Sequence, residues 1–165
     1  ELEIPTVLYD ADGPGMGVRG TWDSAEEPLG FVVVPVHWGD TASEDRWPDG
    51  KTSSQKFLNL RAELWYKLRR RFERAYEYRV EGKPHRPEDM ISIPNCEALI
   101  SDLSLPKVEQ TETGKIRLES KAKMRLRGVK SPDYGDALAY SFAPVVVVGP
   151  VRTVKRAPVT AGIRW

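Results

Sequence analysis

The stretch Thr6-Val7-Leu8-Tyr9-Asp10-Ala11-Asp12-Gly13-Pro14-Gly15-Met16-Gly17 sets the reading of the whole chain. Its first five residues are short, apolar and partly β-branched, which is the pattern of a buried strand. Three glycines then fall within Gly13–Gly17, and that density forces a tight turn and lets another backbone or a ligand approach closely. Asp10 therefore stands where a strand gives way to a glycine turn, the edge at which open α/β sheets bind ligands. The same carboxylate can equally serve only to cap the turn, and position alone leaves both readings open.

A second strand is predicted over Phe31-Val32-Val33-Val34-Pro35-Val36, whose unbroken apolar run suits burial on both faces of a parallel or mixed sheet. Thr21–Gly30 between the two is polar and reads as loop, and residues 37–52 read as a long surface loop. Phe57, Leu60, Leu64, Leu68, Phe72 and Ala75 recur every three or four positions and predict a helix capped by Ser53 or Ser54. Its exposed side carries Arg61, Lys67, Arg69, Arg70, Arg71 and Arg74. Loop over 82–94 and a short helix over 95–103 follow. Lys107–Gln110 and Lys115–Glu119 form a hairpin turning at Gly114. After a basic stretch over 121–130, Ser131 as N-cap and Pro132 at the first helical position open a last helix. Val145–Val148 is a short apolar strand and the tail from Arg152 is basic. Strands and helices mixed in this order predict an α/β domain.

Composition excludes several classes. The 165 residues carry 25 Lys+Arg against 24 Asp+Glu, a net charge of +1, with 40% hydrophobic residues, five Trp and six Tyr. That is one domain's length and enough apolar material for a core, so global disorder is out. The single cysteine, Cys96, excludes a disulfide framework and a Cys-type zinc site within the chain. No apolar run approaches the ~20 residues that cross a bilayer. The acidic opening Glu1-Leu2-Glu3 is not a secretory signal, so reducing cytoplasm is the default compartment. No Walker-type loop occurs, and Gly13–Gly17 lacks dinucleotide-fingerprint spacing. His37 and His85 support no Ser-His-Asp arrangement.

Two further carboxylates, Asp133 and Asp136, lie three apart on the last helix, so they project to roughly one side and repel each other. A divalent cation shared with Asp10 would relieve that repulsion. Hard cations such as Mg²⁺ prefer carboxylate oxygen, which suits aspartates without histidines. Gly135 between them leaves room for a phosphate. Lys121, Lys123, Arg125, Arg127 and Lys130 lie just before this acidic pair, and phosphate backbone held beside aspartates is what metal-assisted phosphodiester hydrolysis needs. The plainer reading of Asp133 is an acid complementing a helix N-terminus.

Four blocks in order then resemble one family. Tyr9–Gly17 looks like the strand and glycine turn of phage terminase large subunits. Asn59-Leu60-Arg61-Ala62-Glu63-Leu64-Trp65 resembles their N-x-R-A-E-x-W helical segment. Gly114-Lys115-Ile116-Arg117-Leu118-Glu119-Ser120-Lys121 resembles the following hairpin, and Ser131-Pro132-Asp133-Tyr134-Gly135-Asp136-Ala137-Leu138-Ala139 is similar to their S-P-D-x-x-D-A-L-A signature.

The resemblance implies a ribonuclease H-like α/β fold, a mixed sheet flanked by helices. Residues 1–143 would be the C-terminal part of the nuclease domain, and 144–165 a strand and basic tail. It implies a metal-dependent endonuclease that cuts concatemeric double-stranded DNA with two Mg²⁺ or Mn²⁺ ions. Asp10 and Asp136 would be the catalytic metal ligands, with Asp133 as adjacent helper, and Lys121, Lys123, Arg125 and Arg127 would contact DNA phosphates. The implied partners are an ATPase domain of the same protein, a portal and a small terminase subunit, in the cytoplasm of an infected or lysogenic bacterium and with no membrane. The family's first catalytic aspartate lies on an earlier strand, whereas none of the nine residues before Asp10 is an aspartate. The expectation is therefore a chain lacking the fold's first strands and first carboxylate, either inactive as it stands or binding only one metal weakly. The alternative is a non-catalytic DNA-binding or docking module left by truncation.

Overall fold

The computed structural model describes residues 6–17, 20 and 32–144. Thr21–Gly30, Val145–Val148 and the tail from Arg152 lie outside them. The described residues divide into two compact units, one carrying the first two strands and the other running from His37 to Ala143.

In the first unit, β1 (Thr6–Asp10) and β2 (Val32–Val36) pair in parallel, from Thr6 opposite Val32 to Asp10 opposite Val36. Val34 and Val36, two apart on one face of β2, are buried, whereas Val33 and Pro35 on the other face are half-buried, so the expected burial on both faces is met fully on one only. The amide of Ala11 donates to the carbonyl of Val36 at 3.0 Å and carries the pairing one residue past the strand. The chain then turns into a 3₁₀ helix over Gly13–Gly17. Asp12 N–H donates to Asp10 Oδ1 at 2.9 Å, so the carboxylate does cap its own turn. Gly15 closes directly over Asp10: a Cβ on Gly15 would lie 1.6 Å from the Asp10 carbonyl oxygen. The glycine density thus serves close backbone approach at Gly15.

In the second unit the elements are α1 (Ser53–Lys56), α2 (Leu60–Val80), α3 (Glu97–Ser104), β3 (Val108–Gln110), β4 (Ile116–Leu118), α4 (Lys121–Leu126) and α5 (Asp133–Tyr140). The hairpin forms as expected, with Glu109 opposite Arg117 and Gly114 at φ +78° in the turn. The long helix differs from its expected start. Phe57 is extended and pairs with Ile116, and Leu58 N–H donates to the Ile116 carbonyl at 2.8 Å. The backbone there is committed to the hairpin, so the helix restarts at Leu60 under a different cap: Asn59 accepts from Ala62 N–H at 3.1 Å. Leu60, Leu64 and Leu68 are buried, whereas Tyr76, Tyr78 and Val80 at the far end of α2 are exposed. Ala42, Phe57 and Ala62 form a core with Trp47, Tyr66 and Ile116 packed on it.

The last helix is also capped differently from expectation. Pro132 takes the cap position and the Ser131 hydroxyl makes no hydrogen bond among the described residues. Asp102 of α3 supplies the acceptor instead, taking Tyr134 N–H at 2.8 Å and Gly135 N–H at 3.4 Å. The basic stretch expected after the hairpin is helical over Lys121–Leu126, with Ser120 capping it through Lys123 N–H. Among the described residues no helix is long and apolar enough to cross a membrane.

Candidate active site

Asp136 sits in the first turn of α5 and is 4% exposed. A carboxylate so far from water needs donors, and three side chains converge on it. The N-x-R-A-E-x-W block supplies two of them. Arg61 and Trp65 are four apart on α2 and therefore share a face. Arg61 Nε and Nη2 donate to Asp136 Oδ1 at 3.3 and 3.2 Å, and Trp65 Nε1 donates to the same oxygen at 2.9 Å. Arg61 is itself buried. Its Nη1 donates to the Glu119 carbonyl at 3.2 Å, and its guanidinium lies 5.8 Å from the Trp38 ring centroid. The third donor group is Lys121 at the head of α4, with Nζ 3.2 Å from Asp136 Oδ2. That contact is an ion pair without hydrogen-bond geometry, so Oδ2 is a buried carboxylate oxygen with no hydrogen-bond partner among the described residues.

The remaining residues of the block hold α2 in place. Asn59 starts the helix, and Leu60 and Arg61 N–H donate to the carbonyls of Asp40 and Trp38 at 2.7 and 3.3 Å. Glu63, with its side chain fully buried, ties the preceding loop to the helix. It accepts from Ser43 N–H and Ser43 Oγ at 2.6 Å and from Ser53 Oγ at 3.0 Å, and it pairs with Lys67 at 2.7 Å. Burial pushes the Glu63 carboxyl up, but the hydrogen bonds from Lys67 and Ser43 outweigh it and hold the group below its ordinary value. Lys67, desolvated but bonded to Asp45 and Glu63, is held above its ordinary value.

The other expected site residues fare differently. Asp133 is exposed at the surface of α5, so the pair three apart does not share an environment. The space expected for a phosphate at Gly135 is taken by Trp65, since a Cβ there would lie 2.8 Å from Trp65 Cη2. Asp10 is half-buried in the first unit. Among the described residues no three His, Cys, Asp or Glu side chains come together as a metal cluster.

The basic stretch is largely neutralised. Lys123 Nζ pairs with Glu109 at 2.7 and 2.9 Å, Arg127 pairs with Glu119 at 2.6 and 2.8 Å, and Lys121 faces Asp136. Arg125 is exposed. Arg61, expected on the solvated side of α2, is buried on Asp136 instead. Arg61 and Trp65 are thus the site residues that sequence reasoning missed. Their spacing of four on a predicted helix is the signal that pairs them.

Solved structures are similar to this chain. The nuclease domain of the large terminase subunit gp2 of bacterial virus Sf6 matches with a TM-score of 0.76 at 27% identity, over 85% of this chain and 66% of that one. A mutant of that domain with manganese and β-thujaplicinol matches with a TM-score of 0.76 at 25% identity, again over 85% and 66%. A mutant with calcium matches with a TM-score of 0.75 at 26% identity, over 84% and 65%. The chain spans just under two thirds of the length of the domains it matches. No protein-family model and no curated protein matches the sequence. The four sequence blocks and the architecture agree: the chain has the ribonuclease H-like fold of the nuclease domain of phage large terminase subunits.

Proposed function

We propose that this chain is the C-terminal part of a metal-dependent endonuclease of a viral DNA-packaging terminase, acting on double-stranded DNA by two-metal phosphodiester hydrolysis. One observation carries the reading: in a chain with this fold, Asp136 is buried and held by Arg61 and Trp65 through one oxygen, while the other faces Lys121 and makes no hydrogen bond among the described residues. A buried ion pair is seldom kept for stability, because well-packed apolar residues serve as well or better. A carboxylate aligned by rigid donors at one oxygen, its other oxygen facing only the Lys121 ammonium, can hold a hard divalent cation when that ammonium gives way.

In this reading Asp136, an oxygen donor suited to such a cation, would hold it, and the family resemblance makes Asp10 the further ligand and Asp133 an adjacent helper. Bound there, Mg²⁺ or Mn²⁺ would supply Lewis-acid polarisation of a phosphoryl oxygen and an activated water. The chain's own groups do the positioning. Arg61 and Trp65 fix the carboxylate, Asp102 fixes the helix turn that presents it, and Lys121 places a positive charge beside Oδ2. Lys121, Lys123, Arg125 and Arg127 contact DNA phosphates in this reading, and cutting has little sequence preference because phosphates carry no base information. An ATPase domain, a portal and a small terminase subunit are its partners in the bacterial cytoplasm.

The second reading, a DNA-binding module without catalysis, draws on the lack of a three-ligand metal cluster among the described residues. Plasmid nicking in Mn²⁺ separates them. The nuclease reading requires cutting by the wild-type chain that Asp10→Asn and Asp136→Asn each abolish. DNA retention that weakens steeply with salt, without any nicking, favours the module.

A further inference from the structure

Beside the buried carboxylate, a cavity of about 370 Å³ opens between the hairpin, the start of α2 and the head of α4. Four cations line it: Arg61, Arg117, Lys121 and Lys123. Two carboxylates answer them. Asp136 takes Arg61 and Lys121, and Glu109 takes the other two. Glu109 Oε2 accepts from Arg117 Nε at 2.9 Å, while both its oxygens meet Lys123 Nζ, at 2.7 and 2.9 Å. Hydrogen bonding to Lys123, opposed by burial and joined by Arg117, holds the Glu109 carboxyl below its ordinary value, so it is ionised at neutral pH.

A cross-strand pair on a two-stranded hairpin needs one cation, and Arg117 directly opposite Glu109 provides it. Lys123 arrives from a separate helix and makes the group one anion between two cations. The cavity as a whole therefore carries excess positive charge beside Asp136. A planar guanidinium and an ammonium converging on one pair of oxygens is the donor arrangement that also fits a phosphodiester. The three side chains are partly exposed, 25% for Glu109, 40% for Arg117 and 50% for Lys123. Ion pairs of that exposure contribute little and are readily exchanged.

We propose that this cavity is a phosphodiester subsite flanking Asp136, and that Glu109 closes it in the free protein by standing where a backbone phosphate of DNA would lie. The proposal rests on the nuclease reading for its ligand. It adds Arg117 to the DNA-contacting residues and makes Glu109 an electrostatic gate on them. Incoming DNA exchanges the carboxylate for a phosphate, and Glu109 turns to solvent.

The test is binding of a short labelled DNA duplex to the full chain in EDTA, measured by fluorescence anisotropy over a series of salt concentrations. Glu109→Gln keeps the side chain's shape and removes its charge. It should tighten binding roughly five- to tenfold near 0.1 M salt and steepen the log–log salt slope by about one phosphate contact. Arg117→Gln and Lys123→Gln should each flatten the slope by about one contact, and in the Arg117→Gln/Lys123→Gln background Glu109→Gln should have no further effect. Wild-type binding that Glu109→Gln leaves unchanged in both affinity and slope overturns the gate while leaving the nuclease reading intact. Absence of duplex binding by both proteins, together with absence of Mn²⁺-dependent nicking, overturns the two together.

Discussion

Trp65 and Asp136, 71 positions apart, meet twice: the indole N–H donates to Oδ1 at 2.9 Å, and the ring fills the space over Gly135 next door. One side chain thus fixes both the carboxylate and the helix that carries it. Trp65→Phe keeps most of the packing and removes the donor to a buried charge, a loss of about 1.5–3 kcal/mol. Gly135→Ala forces a methyl group against Trp65 Cη2 and should cost about 1–3 kcal/mol by overpacking. Phenylalanine lacks the ring atoms nearest that methyl. The double variant should therefore be more stable than the sum of the single losses predicts, as measured by urea unfolding. Strict additivity would show that the ring and Gly135 are not in contact.

The buried Glu63 makes a second prediction, in acid. Its carboxyl sits below the ordinary value of 4.5 in the folded chain, so the unfolded chain binds its proton first as pH falls. The stabilisation from Glu63 is complete above that ordinary value and is lost as pH drops through the folded-state value. Glu63→Gln should cost roughly 3 kcal/mol at pH 7, the low end for a broken buried pair, because Lys67 keeps Asp45. The gap in melting temperature between wild type and Glu63→Gln should narrow between pH 5 and pH 3. A gap that stays constant across that range would mean that Glu63 titrates alike in both states.

At the glycine turn, two positions of the same motif should behave in opposite ways. A Cβ on Gly15 would collide with the Asp10 carbonyl oxygen, whereas one on Gly17 meets nothing within 4 Å. Gly15→Ala should destabilise the chain by at least about 2 kcal/mol more than Gly17→Ala, since backbone rather than a flexible side chain must yield. Hydrogen exchange at the amide of Ala11, which donates to Val36, reports the loss locally. Equal protection in the two variants would count against the close approach.

The sequence made the elements legible where local chemistry decides them. The strand ending at Asp10, the hairpin around Gly114 and the periodic run of Leu60, Leu64 and Leu68 all follow from short-range pattern. It failed where distant residues intervene. Ser53, Ser54 and Ser131 are good caps by type, yet Ile116 claims the backbone at Phe57–Leu58 and Asp102 reaches α5 from 32 residues away. At the candidate site, the S-P-D-x-x-D setting singles out Asp136, but Arg61 reads as a solvated helix charge because its counter-ion lies 75 residues away. The basic run from Lys121 to Arg127 read as a free cationic surface because the carboxylates that neutralise it, Glu109 and Glu119, sit on the neighbouring hairpin and its exit.

On the nuclease reading, Asp136 is a metal-binding carboxylate and not merely a buried partner for Arg61. Titration of Mn²⁺ into the full chain, followed by the electron paramagnetic resonance of the free ion, tests it most directly. Saturable binding is expected for the wild type, weakening tenfold or more in Asp136→Asn, a substitution that keeps the side chain's size and one carbonyl acceptor for Trp65 and Arg61. Identical Mn²⁺ affinities in wild type and a folded Asp136→Asn would contradict it.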